Sequence, residues 1–118
     1  MARLASDILI SAIIRLAEIK GGSATIERRG SQSSGAIFVT FYDSANKGYD
    51  VYEPVSQALA PQELLEHNRR YFALRSKAQD RVELANYFEK EARFDPDFWL
   101  VDVENVGVEA LSDIIRVV

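Results

Sequence analysis

The chain predicts a single α+β domain over residues 1–118: an N-terminal helix, an antiparallel three-stranded meander, a second helix and a further central strand, in the order α-β-β-β-α-β. Three observations carry this expectation. Residues 36–42 and 98–104 are apolar on both alternating faces, the pattern of strands covered on both sides of a sheet. Residues 6–20 and 76–94 repeat apolar side chains at helical spacing. Glycine, asparagine and proline punctuate the joins. At 118 residues and 47% hydrophobic, a chain of this kind buries roughly two thirds of its unfolded surface and needs no covalent staple.

Ser6 or Asp7 can cap the first helix, which runs to about Lys20 and closes at Gly21-Gly22. Its apolar residues wrap most of the circumference, so it is expected to be buried or to form an interface. Ser23 to Arg29 alternates weakly and reads as an edge strand. Gly30 to Gly35 is a flexible turn. Ala36 to Tyr42 sets Ile37, Val39 and Phe41 opposite Ala36, Phe38, Thr40 and Tyr42, which places it mid-sheet. Asp43 to Gly48 suits a hairpin turn, and Tyr49 to Glu53 forms a third strand ended by Pro54. These first three strands are expected to make the meander.

Residues 54–76 read as an excursion at the sheet edge, with a helical start at Pro61 to Glu66 and a short strand at Arg70 to Arg75. The second helix begins at Ser76 or Asp80, each with Gln79 or Glu83 three residues on to complete a capping box. Val82, Ala85, Phe88, Glu89 and Ala92, bordered by Tyr87, are expected to pack on the sheet. Asp95-Pro96 ends the helix, because proline excludes the helical conformation for the residue before it. Phe98 to Glu104 then sets Phe98, Leu100, Asp102 and Glu104 on one face and Trp99, Val101 and Val103 on the other. Asn105-Val-Gly107 turns the chain, and Leu111, Ile114, Ile115 and Val118 share the spacing of one helical face.

The absence of cysteine excludes disulfides, zinc ribbons and thiol catalysis and fits a reducing interior. Asp7, Arg15 and Glu18 interrupt the N-terminal apolar run, so neither a signal peptide nor a membrane span is expected and the localisation predicted is cytoplasmic. The net charge is −4, with the excess in the second half: seven carboxylates between Glu89 and Glu109 face only Lys90 and Arg93. Such a surface repels phosphate backbones, which makes nucleic acid an unfavourable partner. The basic strip from His67 to Arg81, with Tyr71 and Phe72 interleaved, has the composition of an RNA-stacking surface but reads more simply as a solvated strand and helix start.

Five residues stand out as candidate ligand contacts. Arg28 and Arg29, before a loop of glycines and serines, could cradle an anion, although the phosphate-loop pattern is missing. A solvated hairpin tip is the plainer reading. Asp95 and Asp97, with Asp102 and Glu104, form a carboxylate group of the kind hard cations want, but Asp95 before proline is also an ordinary turn-former. Arg93 is expected to pair with Asp95, Asp97 or Glu89 and lock the corner. Trp99 reads as core. His67 is the only histidine, so two-histidine metal motifs are excluded and it reads as surface. No cofactor and no dedicated metal site is implied.

The stretch Glu91-Ala-Arg-Phe-Asp-Pro-Asp-Phe-Trp-Leu-Val-Asp-Val-Glu104 resembles the signature of a family of short, mostly alphaproteobacterial proteins known as domain-of-unknown-function family 1491. Arg3-Leu4, Arg28-Arg29-Gly30 and Gly35-Ala-Ile-Phe-Val39 are also similar to that family. The family usually carries a tryptophan early in the first helix, where this chain has Ile8, Leu9 and Ile10, and the likeness is weak over 54–76. The resemblance implies the fold and a bacterial origin. It brings no activity and no catalytic residue.

Two functions follow as expectations. One is a non-enzymatic protein acting through self-association or another protein partner, suggested by apolar surface on the first helix and tail. The other is a metal-dependent hydrolase or nuclease using Asp43, Asp95, Asp97 and Asp102, since the element order matches the core of restriction-endonuclease-like nucleases. The acidic-x-lysine pattern those sites need is missing after Asp43.

Overall fold

In the computed structural model, residues 5–33, 35–45, 47–55 and 70–118 are described, with the backbone alone for Asp43, Arg70, Tyr71, Arg75 and Ser76. Helix α1 spans Ser6–Ile19, β1 Ser23–Arg28, β2 Ala36–Asp43, β3 Gly48–Val55, β4 Arg70–Ala78, α2 Arg81–Phe94 and β5 Phe98–Glu104. A 3-10 turn at Val108–Leu111 leads to β6, Ile115–Val117. The six described strands form one mixed sheet in the order β1-β5-β2-β3-β4-β6. The helical start expected at Pro61 to Glu66, and His67, lie outside the described residues.

The two-faced strands sit inside the sheet as their alternation requires. Ile37, Val39 and Phe41 of β2 join Trp99, Val101 and Val103 of β5 under Leu9, Ile10, Ile13 and Ala17 of α1. On the opposite face, Phe38 and Phe98 meet Leu84 and Phe88 of α2. Phe38 packs edge-on to both Phe88 and Phe98, with ring centroids 5.5 and 5.4 Å apart. Such aromatic contacts add to area burial by about 1 kcal/mol each. Among the described residues, one helix therefore covers each face.

The meander exists but is displaced by one strand. Its members are β2, β3 and β4, all antiparallel. β5 enters between β1 and β2, antiparallel to the first and parallel to the second. Local sequence favoured pairing of successive strands, whereas burying both apolar faces of β5 requires neighbours on each side. β1 remains the edge strand expected.

Three local expectations also change, and the start of α2 resolves to the second of its two candidates. Ala5, not Ser6 or Asp7, occupies the N-cap of α1, and the buried Ser6 hydroxyl instead donates to the Gly35 carbonyl at 2.6 Å. β3 runs through Pro54 to Val55, because pairing with β2 has already ended at Tyr52 and an absent N–H costs nothing to that ladder. Ser76 lies in β4, and Asp80 caps α2 by accepting from the Glu83 amide at 2.9 Å. Glu83 reaches back to the Gln79 amide, one residue earlier than a standard box. The face of α2 that packs is Leu84, Tyr87, Phe88 and Ala92, while Val82 is 70% exposed.

The tail is not a helix. Leu111 and Ile115 are fully buried beneath the α1 face, and β6 extends the sheet parallel to β4. Phe72, part of the strip that resembled a stacking surface, is also fully buried. The closure of α1 follows expectation: Gly21 takes a left-handed φ of +93°, and the amides of Gly22 and Gly21 donate to the carbonyls of Ala17 and Glu18, a Schellman end.

Candidate functional site

The candidate residues on the two sequence stretches come together at the N-terminal end of β5. Because β5 separates β1 from β2, the connection through residues 29–35 is not a hairpin tip; it crosses the start of β5 and is clamped there. Asp97 accepts from the Ser31 amide at 2.6 Å and from the Ser31 hydroxyl at 2.9 Å. Trp99, 3% exposed, returns a hydrogen bond from Nε1 to the Ser31 carbonyl at 2.8 Å. Arg28 donates to the Pro96 carbonyl at 2.8 Å and lays its guanidinium over the Phe98 ring at 4.3 Å. Arg29 stands 5.9 Å from the Trp99 ring.

The contact is too close for a side chain at position 30. A Cβ on Gly30 would lie 2.9 Å from the Phe98 carbonyl carbon and from the Trp99 ring. Asp95 accepts from the Asp97 amide at 3.0 Å, the turn its place before proline favours. Arg93 stays out of the corner and pairs with Glu89 at 3.2 Å along α2. Exposed pairs of that spacing contribute little, about 0.3–0.5 kcal/mol. Four of the five candidate contacts therefore meet, and Arg28, Asp95 and Asp97 spend hydrogen-bonding capacity on the chain itself.

The other end of β5 has a different character. Asp102, 4% exposed, faces α2 as its alternation requires and accepts from the Thr40 hydroxyl at 2.8 Å. It lines a cavity of about 150 Å³ with Glu27, Arg81, Leu84 and Phe88. Burial pushes its carboxyl up to about 6; the Thr40 hydrogen bond opposes this, and a hydrogen bond with Glu104 reinforces it. Arg81 reaches Glu104 at 3.9 Å. Asp102 lies five residues along β5 from Asp97, about 16 Å of extended chain, so the carboxylates that were to share a cation are divided between two ends. Among the described residues no three His, Cys, Asp or Glu side chains could hold a metal ion. The carboxylate of Asp43 lies outside the described atoms.

A groove of about 620 Å³ opens beyond this end, between the β2–β3 turn and residues 104–109. Sequence reading missed it, since its walls come from three separated segments. The only local signal was Asn105, a turn residue whose φ of 70° is left-handed.

No described helix is long and apolar enough to cross a membrane. Among curated proteins none matches this chain. Solved structures do. The solution structure of protein Atu0922 from A. tumefaciens is 32% identical, with a TM-score of 0.77 over 98% of this chain and 97% of its own. The crystal structure of a DUF1491 family protein from Caulobacter crescentus CB15 is 27% identical, with a TM-score of 0.74 over 98% and 99%. An NMR structure of a DUF1491 family protein from the same organism is 25% identical, with a TM-score of 0.73 over 100% and 99%. The model of the family described as Protein of unknown function (DUF1491) matches residues 4–113. The chain belongs to the DUF1491 family.

Proposed function

We propose that this chain is a non-enzymatic protein that works by self-association, two copies joining along the open edge of β1. The observation that carries this reading is that β1 is a fully formed six-residue strand at the end of the sheet order, with no described strand outside it. An open edge offers a row of backbone donors and acceptors to another strand. Ser23, Thr25 and Glu27, its exposed positions, are polar but bulky enough for cross-strand packing. A two-fold axis at Thr25 sets Thr25 opposite its own copy and Glu27 opposite Ser23, so that like charges do not face each other. Ile19, 68% exposed and four residues before β1, adds apolar surface. What favours this over a carboxylate-based hydrolase is that Asp95 and Asp97 are occupied in the corner and lie far along β5 from Asp102.

Light scattering from micromolar to millimolar protein tests it. Dimer is expected at the upper end, and Thr25→Lys, which brings two ammonium groups together across the axis, is expected to return monomer with an unchanged melting temperature. Monomer throughout for the unsubstituted chain overturns the proposal.

A further inference from the structure

The edge strand β1 is neutral at the proposed two-fold axis, while the strand behind it is acidic. Register sets Ser23 beside Glu104 and Thr25 beside Asp102 of β5. Ala24 and Ile26 pack on the α1 side, so alternation turns those four residues, and Glu27, toward the α2 side of the sheet. Glu27 lines the cavity of about 150 Å³ together with Asp102 and Arg81. Each copy therefore carries three carboxylates here. Among the described residues lining that cavity Arg81 is the one cation, and it meets Glu104 at 3.9 Å in an exposed contact. Arg28, further along β1, is engaged by the Pro96 carbonyl and the Phe98 ring.

Joining two copies about Thr25 doubles this charge on one continuous face. The row at the axis runs from Asp102 through both copies of Thr25 to the second Asp102. In the next row, Glu104 and Glu27 of the second copy stand two strand spacings, about 10 Å, apart with a serine between them. Six carboxylates then face two arginines, and the second copy displaces water from the β1 side of the cavity. Both effects disfavour an ionised carboxyl. Asp102 feels them most, being 4% exposed with the Thr40 hydroxyl of β2 as its neutral partner. Among the described residues, the titratable or charged groups around it are Glu104 of its own strand, Glu27 of β1, Arg81 of α2 and Tyr49 of β3.

We propose, resting on the β1 self-association above, that association takes up protons at Asp102 and its neighbours, so that two copies join more tightly as pH falls below neutrality. Burial already pushes the Asp102 carboxyl up to about 6 in the single copy, against the Thr40 hydrogen bond and with Glu104 reinforcing it. A further rise on association falls in the range just below neutral pH. By linkage, the species that holds protons more tightly gains population as pH falls. Among the described residues no three His, Cys, Asp or Glu side chains could hold a metal ion, so the proton, rather than a divalent cation, is the ligand that neutralises this face.

Sedimentation equilibrium between pH 5.5 and pH 7.5 at physiological ionic strength tests the proposal. A dissociation constant about tenfold lower at the acid end is expected. Asp102→Asn, its folding checked by a thermal melt, is expected to lose that dependence and to associate at pH 7.5 about as tightly as the original chain does at pH 5.5. Glu27→Gln, an exposed change on β1, is expected to tighten association several-fold at pH 7.5. Glu89→Gln removes the same charge from the exposed side of α2 and is expected to leave the constant and its pH dependence unchanged; equal tightening there traces the effect to net charge and overturns the proposal. A dimer whose constant does not move with pH, or moves equally in Asp102→Asn, overturns it while leaving self-association standing. Monomer at every pH overturns both.

Discussion

The two ends of β5 were built from similar residues and do opposite things. At its start, Asp97, Trp99 and the backbone of Ser31 satisfy one another at 2.6 to 2.9 Å, and Gly30 is the only residue type that lets the strands approach so closely. At its finish, Asp102 is buried beside a second carboxylate with one hydroxyl to answer it. A carboxylate matched by backbone amides stabilises a corner. One buried among apolar side chains stores unfavourable free energy. The conspicuous motif therefore spends its polar groups on the chain itself, and the buried carboxyl lies at the plainer end of the same strand.

The largest effect expected is at the scaffold end. Trp99→Ala removes a nearly buried ring from the core beneath α1 and takes away the shorter of two hydrogen bonds to the Ser31 carbonyl, which also accepts from the Gly35 amide, at a cost of about 3–5 kcal/mol. Against the 5–15 kcal/mol available to a typical domain, that should lower the urea midpoint sharply. A fully stable Trp99→Ala protein would break the contrast, since the corner would then not be what holds the sheet.

The next effect has the opposite sign and a pH signature. Asp102 has its folded pKa raised to about 6 from 3.8, so the folded state holds the proton more tightly than the unfolded chain. Its contribution to stability is complete below about pH 4, is lost as pH rises through 6, and is absent at pH 7. That rise corresponds to on the order of 2–3 kcal/mol. Asp102→Asn keeps an acceptor for Thr40 and a donor for Glu104 without the charge, and should therefore be the more stable protein at pH 7 while gaining nothing at pH 4. Stability curves from pH 4 to 7 decide this, and parallel curves for the two proteins would show that Asp102 is not the strained group.

Alternation along 36–42 and 98–104 was enough to find both interior strands and to assign every core side chain of β5 to its face. The Asp80 cap, the Schellman glycines and the turn at Asp95-Pro96 were legible for the same reason: each is decided by neighbours within four residues. Strand order was not. Nothing local to residues 23–42 reports that β5, some sixty residues later, displaces β2 from β1. The tail misled because Leu111, Ile114 and Ile115 satisfy helical spacing, while an open edge on β4 offered Ile115–Val117 a ladder instead. The phase of α2 was misjudged by one position: Val82 and Ala85 look as apolar as Leu84 and Tyr87, and only the location of Phe38 and Phe98 in space selects between them. Arg28 and Arg29 on one side and Asp95 and Asp97 on the other were singled out separately, and nothing local to either stretch reports that Ser31 joins them through its amide, hydroxyl and carbonyl.

The smallest effect separates scaffold from site most cleanly. In the double variant Asp95→Asn with Asp97→Asn, asparagine 95 still accepts from the amide two residues on. Asparagine 97 still accepts from the Ser31 amide and can donate to the Ser31 hydroxyl, which takes over as acceptor. What is lost is the charge on three hydrogen bonds at an exposed corner, worth about 1 kcal/mol in all. A corner built for stability therefore predicts a modest loss. A carboxylate pair kept for a ligand predicts none, or a gain as repulsion between Asp95 and Asp97 is relieved, as in sites that sacrifice stability for function. Urea melts at neutral pH resolve the sign, and a double variant more stable than the original chain would return the corner to the list of binding sites.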